Sequence, residues 1–95
     1  MTLDEKECID CLRNPSTPEN DLHGWIDCAG TLLLVEAVPE LLKVLTNGQY
    51  SLPTRQHAAR TIRLLGSAYA SAEISKLRRG AESEVNNLLN IVENQ

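Results

Sequence analysis

The 95-residue chain is predicted to be all-α, with five or six short helices in antiparallel hairpins, as a small helical bundle or a short repeat array. Three observations carry that reading. Aromatic residues make up only 3% of the chain, so a core must be filled by Leu, Ile, Val and Ala. Gly and Pro are few. No stretch alternates apolar and polar residues long enough for a half-buried strand. The length and the 42% apolar fraction supply one modest core, so residues 1–95 are expected to form a single domain and a multidomain enzyme is excluded.

Thr2 followed by Glu5 is a capping-box pattern, which starts a first helix at Leu3 and runs it to about Arg13, before Asn14-Pro15. Cys8, Ile9, Cys11 and Leu12 share its apolar stripe. The segment NPSTPEN is a loop, with Thr17 expected to cap a second helix and Pro18 to open it. Leu22, Trp25, Ile26, Ala29, Leu32 and Leu33 recur at the spacing of one buried helical face, which makes Trp25 a core anchor. Gly24 and Gly30 lower the intrinsic helicity there but would let a neighbouring helix approach. After a break near Val35–Val38, Pro39 opens a short third helix buried through Leu41, Leu42, Val44 and Leu45. Asn47-Gly48 is expected to end it in a left-handed cap. Pro53 opens a fourth helix predicted to reach about Tyr69, with Ala58, Ile62, Leu65 and Tyr69 inward and Arg60 and Arg63 outward. Ile74 and Leu77 mark a fifth helix, which Gly80 ends, and Val85, Leu88, Leu89 and Val92 mark a sixth.

The helix pattern recurs at about 33 residues: Leu12 with Leu45, Trp25 with Ala58, Ala29 with Ile62. Helix-pair units over 2–35, 37–69 and 71–95 follow. In the central unit, Pro39, Leu41, Leu42 and Leu45, then Arg55, Ala58, Ala59, Ile62 and Leu65-Gly66, resemble a HEAT-type repeat. Thr54 stands where that family prefers Val, the usual Asp of the turn is missing, and Leu65-Gly66 comes about one helical turn late, so Gly66 is expected to be a packing or bend position. The resemblance implies stacked antiparallel helix pairs that present a surface to another macromolecule without catalysis.

The net charge of −4 is segregated. Residues 1–50 hold nine acids against three bases, residues 51–80 six bases against one acid, and residues 81–95 three acids alone. Arg55, Arg60, Arg63, Lys76, Arg78 and Arg79 are therefore the candidate partner-binding residues, on outer helix faces and suited to an acidic surface of another protein or to a second copy of the chain. Cys8, Cys11, His23 and Cys28 could arithmetically make a zinc site. Reduced cysteines on an apolar stripe are better read as core, and no metal is expected. His23 and Asp27, one helical turn apart, are read as a solvated surface pair, because no nucleophile motif, phosphate loop or paired-carboxylate signature accompanies them. No catalytic residue and no cofactor is assigned.

An odd cysteine count and the acidic opening MTLDEKE point to the cytoplasm. The run TLLLVEAV, interrupted by Glu36, is far short of the roughly 20 residues of a membrane span. The expected function is a small non-catalytic protein–protein interaction domain of the adaptor, inhibitor or immunity type. The alternative is a helix-turn-helix DNA-binding regulator using the basic 54–80 segment, which the acidic total opposes.

Overall fold

The computed structural model describes residues 2–93, and among these there are helices and turns but no strand. Helix α1 (Leu3–Arg13) starts on the capping box read from the sequence: the Glu5 N–H donates to the Thr2 hydroxyl at 3.2 Å, and the Thr2 N–H donates to the Glu5 carboxylate at 2.8 Å. Helix α2 (Glu19–Thr31) begins one residue later than expected. Pro18 is its N-cap, and Thr17 does not cap it; the Thr17 hydroxyl donates instead to the Cys11 carbonyl at 2.7 Å and braces the loop against α1.

The end of α2 is a Schellman motif. The Leu34 N–H reaches the Ala29 carbonyl at 3.0 Å and the Leu33 N–H the Gly30 carbonyl at 3.2 Å, which puts Leu33 in the left-handed region at φ 51°. A 3₁₀ turn at Val35–Ala37 then leads into α3 (Val38–Thr46). This helix stops at Asn47 as expected, but Asn47 is extended and accepts the Gln49 N–H on its side-chain oxygen at 2.9 Å, so the stop is a side-chain turn and not a left-handed cap.

Helix α4 (Leu52–Leu65) ends four residues before the expected limit. Gly66, at φ 121°, is its C-cap; a side chain there would be strained and would crowd the Tyr69 ring at 3.3 Å. Gly66 is thus the helix ending after all, and Tyr69 falls in a 3₁₀ turn at Ser67–Ala70, largely exposed. Helices α5 (Ser71–Arg78) and α6 (Ser83–Glu93) complete the chain.

Helix α4 is the centre of the fold, packing against α2, α3 and α6. Its Ala58, Ala59 and Ile62 are wholly buried, and the two alanines keep that face slim enough for neighbours on both sides. Helices α1 and α2 form an antiparallel hairpin, fixed where Cys8 meets Trp25 and Thr17 meets Cys11. Helices α2 and α4 run parallel, because contacts pair Glu19 with Thr54, His23 with His57, and Gly30 with Leu64 in rising order. At Gly30 that approach is close: a Cβ there would lie 3.3 Å from the Leu64 methyl, whereas Gly24 faces open space. Glu40, buried on α3, accepts from Arg13 of α1 at 3.4 Å and ties the first helices of two hairpins together.

Candidate functional site

The six cations selected from the sequence do not form one open surface. Arg55 was expected on an outer face, yet it is only 4% exposed. Its Nε donates to the Leu45 carbonyl at 2.8 Å and its Nη1 to Glu84, so it closes the C-terminus of α3 and joins it to α6. The physical reason is helical phase: Arg55 precedes Ala58, Ala59 and Ile62 by three, four and seven residues, which places it on their buried face. Arg78 is also committed, donating from Nε to Glu93 at 3.0 Å and from Nη2 to Asn90 at 2.9 Å. Lys76 lies 3.9 Å from Glu73 on the same helix. Arg60, Arg63 and Arg79 are exposed.

Two of the three cysteines are taken up by packing, Cys8 in the core and Cys28 against it, whereas Cys11, expected in the core, is half-buried outside it. Cys8 is fully buried and its thiol donates to the Trp25 carbonyl at 3.3 Å. Burial, reinforced by the neighbouring Cys28, pushes the Cys8 thiol up to about 12, so it stays protonated and unreactive at neutral pH. Burial and the nearby Glu7 and Asp10 raise the Cys11 thiol as well. Among the described residues no group of three or more His, Cys, Asp or Glu could hold a metal ion. Trp25 is partly buried and packs against the core.

His23 and Asp27 are not a lone surface pair, because His57 of α4 stands between them. A continuous hydrogen-bonded chain crosses the α2–α4 seam. Glu19 Oε2 accepts from the Ser51 N–H at 3.1 Å, from the Ser51 hydroxyl, and from the fully buried Thr54 hydroxyl at 2.5 Å. Thr54 Oγ1 is 2.9 Å from His23 Nε2, His23 Nδ1 is 2.8 Å from His57 Nδ1, and His57 Nε2 is 2.7 Å from Asp27 Oδ1. The ring centroids are 5.0 Å apart with planes 20° from parallel, close to the largest separation that the nitrogen contact permits. The imidazoles therefore meet end to end.

Hydrogen counting fixes the polarity of the chain. A carboxylate only accepts, so Thr54 gives its one hydrogen to Glu19 and must accept from His23 Nε2–H, while His57 Nε2–H donates to Asp27. The three donors gathered on Glu19, Ser51 first and then Thr54, hold its carboxyl below the ordinary value of 4.5.

His57 was missed in the sequence because a single histidine among Arg and Ala carries no motif. The 33-residue recurrence could have found it, since adding that interval to His23 lands one position short of His57.

The least compensated feature lies on the surface. Leu3, Leu33 and Leu64 are 86%, 66% and 65% exposed, and Leu32 and Tyr69 are exposed as well. All five belong to one pole of the molecule, where α1 begins and where α2 and α4 end. Leu33 is held there in a backbone conformation that costs an L-residue about 1–2 kcal/mol and that glycine would adopt freely.

With the arrangement in view, the chain is a small all-helical domain built of hairpins on a central helix. Comparison with known proteins finds no matching family model, no matching curated protein and no matching solved structure. Among the described residues no helix is long and apolar enough to cross a membrane.

Proposed function

We propose that the protein is a non-catalytic, cytoplasmic protein-binding domain, an adaptor or inhibitor in character, whose HEAT-like stacking of helix pairs holds a recognition surface rigid. The observation that carries this reading is the leucine pole. Exposed apolar clusters of this kind mark contact sites, and a leucine kept in a left-handed position where glycine would be more stable is stability given up at a surface residue. Arg60, exposed one turn before Leu64 on α4, suits a partner that brings a carboxylate beside its own apolar residues.

The same structure weighs against the DNA reading. Arg55, Arg78 and Lys76 are paired with Glu84, Glu93 and Glu73, which removes at least half of the basic set from phosphate neutralisation. A photoreactive amino acid placed at position 33 in cells tests the proposal, with position 49, exposed on the opposite side of the fold, as the control. Discrete protein adducts at 33 and none at 49 are expected. Equal labelling at both positions, or none at 33, contradicts the reading.

A further inference from the structure

The histidine seam has more contacts than its neutral groups have hydrogens to fill. Four contacts join five side chains in series: Glu19 to Thr54 at 2.5 Å, Thr54 to His23 at 2.9 Å, His23 to His57 at 2.8 Å, and His57 to Asp27 at 2.7 Å. Each separation is that of a hydrogen bond and calls for one hydrogen. With both carboxylates ionised, the Thr54 hydroxyl supplies one and each neutral imidazole one more, so the series is a hydrogen short. The Ser51 hydroxyl serves its own contact with Glu19 and adds none. Wherever the three hydrogens are placed, one contact is left with two lone pairs facing each other. The donors gathered on Glu19 keep its carboxyl ionised and draw the Thr54 hydrogen to it, so the shortfall lies between the two Nδ1 atoms.

We infer that the His23–His57 pair is a proton-binding latch: at neutral pH it takes one proton from solvent, holds it between the two Nδ1 atoms, and so fastens α2 to α4. This goes beyond the binding role proposed above and does not rest on it. The surrounding charges favour one added positive charge. Helix α2 carries no base, and its Glu19 and Asp27 bracket the pair. On α4, Arg60 is one turn beyond His57 and stands in solvent, while Arg55, two residues before His57, points the other way to Leu45 of α3 and Glu84 of α6. The buried Glu40 of α3 is engaged by Arg13 of α1 and Lys43. Helix α1 meets α2 at Trp25, two residues from His23 and so on another side of the helix, and the 3₁₀ turn at Ser67–Ala70 has no charged residue. A second proton would set two N–H groups head to head at 2.8 Å, and loss of the first leaves two lone pairs there. The latch is closed in one charge state only.

His23 and His57 are the only histidines of the chain, so the latch has a pH signature of its own. A histidine in an unfolded chain titrates near about pH 6.5, so unfolding leaves the two with two protons in acid and none in alkali, against one in the fold. Above about pH 6.5 the folded chain holds the extra proton and stability falls as pH rises; below it the unfolded chain holds more and stability falls as pH drops. Urea unfolding of the full chain from about pH 5 to about pH 8, wild type against the His23→Gln/His57→Gln double variant, tests this. The ratio of the two folding constants should peak near about pH 6.5 and fall about eightfold towards each end. A merely structural role would separate the two constants by one fixed factor at every pH. Nitrogen-15 spectra of the wild-type imidazoles at about pH 7 give a reading that needs no variant: both Nε2 atoms should carry a full hydrogen and the two Nδ1 atoms one between them. A ratio that is flat, or that changes in one direction across the range, or two neutral rings in the nitrogen spectra, overturns the inference.

Discussion

Replacing Arg55 by Met keeps the length and apolar stem of the side chain and removes its guanidinium, which isolates what the buried charge does. The Leu45 carbonyl, at the end of α3, then loses the donor that satisfies it at 2.8 Å, and a buried acceptor without a partner costs about 1–3 kcal/mol. Glu84 loses its ion pair, but its side chain is 54% exposed and returns to water at little cost. Removing a buried charge also removes its desolvation penalty, which offsets part of the loss. The net expectation is about 2 kcal/mol, or roughly 8–16 °C in thermal midpoint for a domain of this size. Glu84→Gln leaves the Leu45 contact in place and opens only the solvent-facing half of the pair, so it should cost about 0.5–1 kcal/mol. Urea unfolding of both single variants and of the double variant measures this directly. The double variant should match Arg55→Met, since Glu84 has no role once the guanidinium is gone. An Arg55→Met protein within about 0.5 kcal/mol of wild type, or a Glu84→Gln protein that loses more than Arg55→Met, would refute the capping role.

Three further outcomes follow from the geometry. Thr54→Val removes the hydroxyl between Glu19 and His23 and should destabilise by about 1–2 kcal/mol in chemical unfolding. Gly66→Ala forces an L-residue to φ 121° against the Tyr69 ring and should lower stability by about 1–3 kcal/mol, read as a lower thermal midpoint. Because folding lowers the Glu19 carboxyl below its ordinary 4.5, the folded chain binds fewer protons there than the unfolded chain; this contribution is complete above 4.5 and drains away as pH falls through the folded value. Urea midpoints compared at about pH 7 and about pH 3 should therefore fall less in Glu19→Gln than in wild type.

Much of the fold was legible because local chemistry and tertiary packing agree. The Thr2–Glu5 capping box, the apolar stripe of α1 and the stops at Asn47 and Arg13 are short-range signals that nothing distant contradicts. The end of α4 was misread because Ile62, Leu65 and Tyr69 continue a helical spacing across Gly66, and spacing does not register the left-handed turn that only glycine enters freely. Arg55 was misplaced for the converse reason. Its phase places it with Ala58 and Ile62 while its charge points outward, and the free carbonyl at Leu45 that makes its burial tolerable exists only once α3 and α4 are packed. The seam of Glu19, Thr54, His23, His57 and Asp27 depends on the register of two helices whose paired residues are 30 to 35 positions apart in the chain, to which no local pattern refers. The stripe of α2 extends to Leu33 and predicts it to be core. The Schellman turn reverses the chain one residue earlier and leaves Leu33 outside while Leu34 goes in.

In the proposed reading Cys8, Arg55 and the histidine seam serve the fold, and the leucine pole is the recognition surface. Crosslinking from position 33, carried out on the Leu64→Asp and Thr54→Val backgrounds with each variant's thermal midpoint recorded, tests that division most directly. Leu64→Asp should abolish the adducts at an unchanged midpoint, whereas Thr54→Val should lower the midpoint and leave the adducts of the folded protein in place. Adducts that survive Leu64→Asp but disappear with Thr54→Val in protein that is still folded would put recognition at the histidine seam and contradict the account.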